Sequence, residues 1–365
     1  MKHLSILFAL LSAWLIAFAD TAHASTNWVT VAKDGKGFVL SPSGQPFTPW
    51  GFNYDRDSNY RLIEDYWDTN WTTVEQDFSE MKQLGANVVR IHLQFAKFMK
   101  SPTEVNETNL VRLRQLIELA GKDGLYLDTT GLGCYRKQDI PAWYDALPEH
   151  DRWAAQARFW EAVAKTCAGQ PAVWCYDLMN EPVVSGDKRS DWLHPLAIEN
   201  LYYVQYINLD PVGRQRADIA RQWTHTMVEA IRKQDHRHLI TIGLIMIEFG
   251  PPENAAGFGP SQVGSELDFT SVHLYPEAGK FGQWTDMLAR ITKTGKPVII
   301  EEIFPLKCDT KTLGDFIEGT RGLASGWLGF YWGKTPGELS PSPKPADQLT
   351  LEWLKLFQRM NPNHQ

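Results

Sequence analysis

The chain has 365 residues, a formal net charge of −7, four cysteines and fifteen tryptophans. With no run of Lys or Arg it offers no basic surface for nucleic acid, and four cysteines at no zinc-ligand spacing exclude a disulfide-built scaffold and a zinc motif. The tryptophans supply flat apolar faces of the kind that stack on sugar rings, although core packing also consumes them.

Met1, Lys2 and His3 make a short basic start, residues 4–19 are apolar, and Ala22-His23-Ala24 follows. This order reads as a signal peptide over residues 1–24, cleaved after Ala24 to leave Ser25 first, in a secreted or periplasmic protein. An uncleaved anchor is the alternative, but the apolar core is short for a span. No second stretch is long enough to cross a bilayer, so no membrane contact is expected after cleavage. Residues 25–365 read as one (β/α)8 domain, since an α/β barrel with insertions routinely uses this much chain.

Residues 28–32 and 37–40 flank Lys33-Asp34-Gly35-Lys36, a hairpin expected to close the bottom of the barrel. Barrel strands are expected at 48–53, 87–92, 125–128, 172–179, 239–244, 269–274, 297–302 and 327–331. Helices are expected at 73–84 (Thr72 capping and Glu75 reaching back), 111–120, 153–167, 217–233, 282–294 and 349–360. Residues 183–212 exceed a minimal barrel and form an insertion after strand four, on the catalytic face. Cys167 and Cys175, a short loop apart, are the pair expected to bond if any does; free buried thiols are equally open. Cys134 and Cys308 fall in distant loops. The result is an α/β fold, a single closed TIM barrel whose active site lies at the strand ends.

Which polar residues end the strands then decides the chemistry. Strand four runs through Leu178-Met179 into Asn180-Glu181-Pro182, and strand seven through Ile299-Ile300 into Glu301-Glu302. Two apolar strands ending in carboxylates across one cleft give the pair that glycosidic cleavage requires, one protonated and one ionised. A lone strand-end Glu would read as a solvated loop residue; a matched pair does not. Asn180 and Glu181 both face the cleft only if the strand bulges there. Strict alternation selects Glu302 to face the axis with Val298 and Ile300, and turns Glu301 outward.

Asn180-Glu181-Pro182, Val89-Arg90-Ile91, His273-Leu274-Tyr275 and Tyr331-Trp332 together resemble glycoside hydrolase clan A, and family 5 most closely, over nearly the whole mature chain. The resemblance implies a retaining β-glycosidase with Glu181 as acid/base and Glu302 as nucleophile. It implies that Asn180 binds the sugar 2-hydroxyl and that Arg90 keeps Glu302 ionised. Tyr275 would donate to Glu302, His273 would line the cleaved-sugar subsite, and Trp332 would form its floor. Arg90 in a structural ion pair and His273 as a core imidazole are the bland alternatives.

Two departures from the family stand out. The usual His after strand three is absent at Asp128-Thr129-Thr130, where a hydroxyl would stand in, and Ile303-Phe304 replaces the aromatic-Gly that follows the nucleophile. Ile247-Glu248-Phe249-Gly250 matches the nucleophile motif better locally but follows strand five, so Glu248 is assigned to the cleft rim, binding sugar hydroxyls. Asn53, opening the loop to Asp57, is expected to touch the non-reducing end of the substrate. Arg56 in that loop pairs with Asp55 or Asp57, or meets an acidic sugar. Trp143, Trp192 and Tyr203 are further platforms or simple packing. Neither metal nor cofactor is expected, the partner is a β-linked glycan or glycoside, and the protein is expected to be a monomer. A transglycosylase or an inactive carbohydrate-binding barrel on the same scaffold remain the rival functions.

Overall fold

The computed structural model describes residues 27–57, 59–246, 255–330 and 332–364. The chain enters through an antiparallel sheet of β1 (Trp28–Val31), β2 (Phe38–Ser41) and β3 (Gln45–Phe47). The barrel begins with β4 (Trp50–Tyr54), β5 (Val88–Gln94), β6 (Tyr126–Gly133) and β7 (Val173–Asn180). Two short strands, β8 (Pro182–Val183) and β9 (Gln205–Tyr206), pair inside the insertion. The barrel resumes with β10 (Leu239–Leu244), β11 (Thr270–His273), β12 (Val298–Ile303) and β13 (Gly326–Gly329). All eight barrel strands run parallel, and β13 pairs with β4 to close the ring.

Strands covered on both faces can be apolar throughout, and every residue of β5 is buried. Alternation still sorts them: Val89 and Ile91 pack outward on the helix layer, whereas Val88 joins the cluster inside the barrel bottom. The expected hairpin gains a third strand and plugs that bottom. Phe38 meets Trp174 and Phe269 edge-on at 5.3 and 5.2 Å, and Trp174 stacks on Phe269 at 5.0 Å.

The six expected helices are present with shifted ends, at Trp71–Gln83, Glu107–Asp123, Glu149–Cys167, Arg216–Arg232, Phe281–Ile291 and Pro345–Arg359. Gly124 in the left-handed region ends the second, as only glycine does without strain. The expected capping box at Thr72 does not form, because the helix starts two residues earlier, and Glu75 instead accepts from the Trp71 indole at 3.1 Å. Besides short four-residue helices, a longer helix that was not expected, Thr310–Thr320, lies between β12 and β13. Asp309 caps it, accepting from the Thr312 N–H at 2.7 Å. Among the described residues no helix is long and apolar enough to cross a membrane.

The expected Cys167–Cys175 bond is absent, and all four cysteines are free. Cys175 lies inside the barrel, where its thiol donates to Asp128 Oδ1 at 3.1 Å. Cys167 ends a helix packed on the outside, so the strand wall separates the two. Thiol titration in denaturant without reductant is therefore expected to count four free groups, and a count of two would contradict this arrangement.

Candidate active site

Above the aromatic plug the barrel axis turns polar. Arg90, Asp128, Asp177 and Glu301 converge there with no solvent exposure. Arg90 donates from Nη1 to Asn53 Oδ1 at 2.9 Å and Glu302 Oε1 at 2.8 Å. Its Nη2 donates to Asp177 Oδ2 at 2.6 Å and Asn180 Oδ1 at 2.9 Å, and lies 3.4 Å from Glu301 Oε2. A buried guanidinium left unpaired would cost several kcal/mol, so these partners are a condition of its burial. Gly243 makes room for the cluster, since a Cβ there would stand 2.8 Å from Arg90, Glu301 and His273 alike.

Burial first, then the neighbouring Glu301 charge, pushes the Asp128 carboxyl far above its usual range. Burial would raise Glu301 too, but Arg90 and His273 hold it down to about 2. Asp177, pushed up to about 6 by burial and Glu301, accepts from Thr130 Oγ1 at 2.7 Å and from the Gly243 N–H at 2.7 Å.

Two bulges bring consecutive residues into this space. Asp177 pairs with Thr241 and Asn180 with Gly243, so three steps of β7 match two of β10, as Asn180 and Glu181 require. Glu181 itself has φ of 46°, a left-handed backbone that non-glycine residues adopt only under constraint. In β12, Ile300 pairs with Val272 and Glu302 with His273, leaving Glu301 as the extra residue.

This second bulge overturns the expected outward Glu301. Ile299 joins the plug inside the barrel, Val298 and Ile300 pack on the helices, and Glu301 belongs to the axis. Glu302 also reaches the cleft because the bulge breaks the alternation, not because of it.

At the top of the cluster one imidazole joins the two strand-end carboxylates. His273 Nδ1 lies 2.8 Å from Glu181 Oε1 and 3.4 Å from Glu302 Oε2, while Nε2 lies 3.2 Å from Glu301 Oε2. Burial lowers its pKa, but Glu302, Glu181 and Glu301 outweigh that and raise it to about 10, so the ring is an imidazolium. Tyr275 donates to Glu302 Oε2 at 2.5 Å. Burial pushes the Glu302 carboxyl up, and His273 and Arg90 offset this only in part. Ligand atoms of Glu181, His273 and Glu302 lie within 4.8 Å of one another, close enough to hold a metal ion. An imidazolium, however, has no lone pair to give an ion.

The structure thus brings together Glu181, Glu302, Arg90, Asn180, His273, Tyr275 and Asn53. Trp332 is corrected: it is 2% exposed, its ring packs 5.6 Å from Phe52, and its indole bonds to Asp77. That leaves no open face for a sugar; Phe330, half-buried, lies beside Tyr275 at 6.2 Å. Glu248 and Tyr331 lie outside the described residues.

Strand two brings an imidazole that was not expected to the side of Asn53. His92 takes the Tyr135 hydroxyl at 2.5 Å and reaches Asn53 Oδ1 at 3.5 Å, while the Thr130 hydroxyl is committed to Asp177. Burial and the Arg90 charge keep His92 neutral. Its signal was legible as the second residue after Arg90 on the same strand face. Arg56 pairs with Glu199 at 3.2 Å, and its charge also offsets the burial of the neighbouring Asp55 carboxyl. Trp192 is buried with its indole on the Asp145 carbonyl, and Trp143 packs at 5.9 Å from Phe95, so both are packing residues.

Glu301 gives this site a direct test. Below about pH 10 the His273 ring holds both protons, and above it one is released. Glu301→Gln removes a charge beside Nε2, so NMR should find the ring losing its proton at lower pH. An unchanged titration would show that Glu301 does not set its charge.

The chain was compared with known proteins. A search of curated proteins finds no match. Among solved structures it resembles an exo-β-1,4-mannosidase from Opitutaceae bacterium strain TAV5, with TM-score 0.65 and 18% identity over 92% of this chain. The chain spans 62% of that structure's length. A β-1,4-mannanase from the sea hare Aplysia kurodai gives TM-score 0.58 and 16% identity, covering 91% of this chain and 96% of that one. A β-glucanase from Saccharophagus degradans gives 0.60 and 16%, covering 93% and 94%. At such identities these likenesses speak to the barrel alone. The family profile named Cellulase (glycosyl hydrolase family 5) matches residues 40–314, most of the chain. This chain is a glycoside hydrolase and belongs to glycosyl hydrolase family 5.

Proposed function

We propose that the protein hydrolyses a β-glycosidic bond with retention, through a covalent glycosyl-enzyme. The observation that carries this is the spacing of the two strand-end carboxylates, whose nearest oxygens lie within 4.8 Å. Retaining enzymes hold their carboxyl groups about 5–5.5 Å apart, leaving no room for a water to attack directly.

In the first step Glu302 Oε attacks the anomeric carbon while Glu181 gives its proton to the departing glycosidic oxygen. The Arg90 guanidinium and the Tyr275 hydroxyl, at 2.8 and 2.5 Å, hold the attacking carboxylate in place. In the second step Glu181 takes a proton from water, whose oxygen displaces Glu302 and restores the β-configuration. His273, in reach of both carboxylates, places a positive charge between them. Asn180 keeps one amide hydrogen free of its bond to the Tyr203 carbonyl at 3.1 Å, and that hydrogen supports a contact to the sugar 2-hydroxyl. Two carboxyl groups supply all the proton and nucleophile chemistry, so turnover is proposed to need neither metal nor cofactor.

The names of the structural neighbours make β-mannosides and β-glucosides the first substrates to try. Export, with cleavage after Ala24, belongs to the same proposal and rests on the apolar leader alone.

Glu302→Gly is expected to lose turnover of an aryl β-glycoside and regain it with azide, yielding the α-glycosyl azide. Proton NMR of wild-type product should detect the β-anomer first. An α-anomer formed first would contradict retention, and lengthened products in place of hydrolysis would identify a transglycosylase.

A further inference from the structure

The insertion at 183–212 leaves the end of β7 and is fastened over the neighbouring end of β6 and to the loop after β4. Its root pairs β8 with β9. Beyond that, Gln205 Nε2 donates to the Leu132 carbonyl at the end of β6 at 3.3 Å, and the Tyr202 N–H to the Tyr135 carbonyl at 2.8 Å. The loop after β4 grips the same segment, since Arg56 donates to the Tyr203 hydroxyl at 3.2 Å and to Glu199 at 3.2 Å. Arg56 and Tyr203 are both buried, so these are built joints rather than surface contacts.

Tyr203 is the inner face of this bridge. Its carbonyl accepts from Asn180, the residue beside Glu181, at 3.1 Å. Its ring packs on Tyr135 at 4.8 Å and on Phe330 at 6.2 Å, and Phe330 in turn meets Tyr275 at 6.2 Å. Tyr275 donates to Glu302, so an arc of three rings runs from the nucleophile to the bridge.

An enzyme that cuts inside a chain needs a groove open at both ends. The sugar attacked by Glu302 must lie over that carboxylate, inside the arc, and its leaving group must point to the proton donor Glu181. The arc therefore closes the side of the retained sugar. Resting on the retaining-glycosidase reading, we propose that the protein acts from the non-reducing end of its substrate, with Tyr203 as the stop behind the terminal sugar. The substrate class is a short β-linked oligosaccharide or glycoside with a free non-reducing end.

The test uses the mature enzyme, aryl β-glycosides of mannose and glucose, and the matching β-1,4-linked oligosaccharides labelled at the reducing end. The expected result is release of the terminal sugar and a labelled product that shortens one unit at a time. A 4,6-O-benzylidene cap on the terminal sugar should slow cleavage by about tenfold or more. Tyr203→Ala should relieve that block and Tyr203→Phe should keep it, and a cooperative thermal unfolding transition for each variant reports that they fold. Labelled mid-length products at the earliest times, or a cap without effect on the wild type, would overturn end-on action while leaving the glycosidase reading intact. Cleavage of neither the aryl glycosides nor the oligosaccharides would overturn that reading itself.

Discussion

Arg90 places a full positive charge on the axis of a closed barrel, with no exposed surface. Desolvating a guanidinium costs several kcal/mol unless carboxylates and further acceptors surround it. Asp177, Glu301, Glu302, Asn53 and Asn180 provide these from strands four, seven and one. Much else in the barrel answers to that requirement. Two bulges let β7 and β12 turn consecutive polar residues inward, a glycine at 243 leaves the volume, and burial beside Glu301 pushes the Asp128 carboxyl well above its usual range. Glu302, the proposed nucleophile, is placed by the same hub, so the site and the fold share one set of contacts.

A second consequence concerns His273. Three carboxylates lie around its ring, and they hold it charged despite full burial. Glu301 is thus a positioning group for the imidazole rather than a spectator of the nucleophile beside it. A cation fixed between Glu181 and Glu302 lets two acids sit within 4.8 Å without the full cost of like charges meeting.

Strand ends were legible in the sequence because apolar runs that stop at Asn180-Glu181 and Glu301-Glu302 have no packing reason to do so. The hairpin was legible from its Asp-Gly turn, and six helices from their apolar spacing. Register was not. Whether Glu301 or Glu302 faces the axis depends on where β12 slips against β11, and that slip is decided by the cluster on the neighbouring strands, not by the local residues. Trp332 failed for a related reason: its position at the strand end is local, but the ring's burial against Phe52 and Asp77 is tertiary. His92, two residues after Arg90, lies on the same strand face by alternation, but its partners Tyr135 and Asn53 are tertiary. Asp309 as a helix cap was legible and was missed. The route of the insertion, from Pro182 to its fastening on Arg56 and Tyr135, has no periodic signal at all and follows from contacts far apart in the chain.

In the proposed retaining mechanism Glu302 becomes covalently bonded to the sugar. A 2-deoxy-2-fluoro β-glycosyl fluoride slows the second step and lets that intermediate accumulate. Peptide mass spectrometry after brief incubation is predicted to find the fluorosugar on Glu302 alone. A label on Glu301 or Glu248 instead would contradict the account of how β12 delivers its nucleophile.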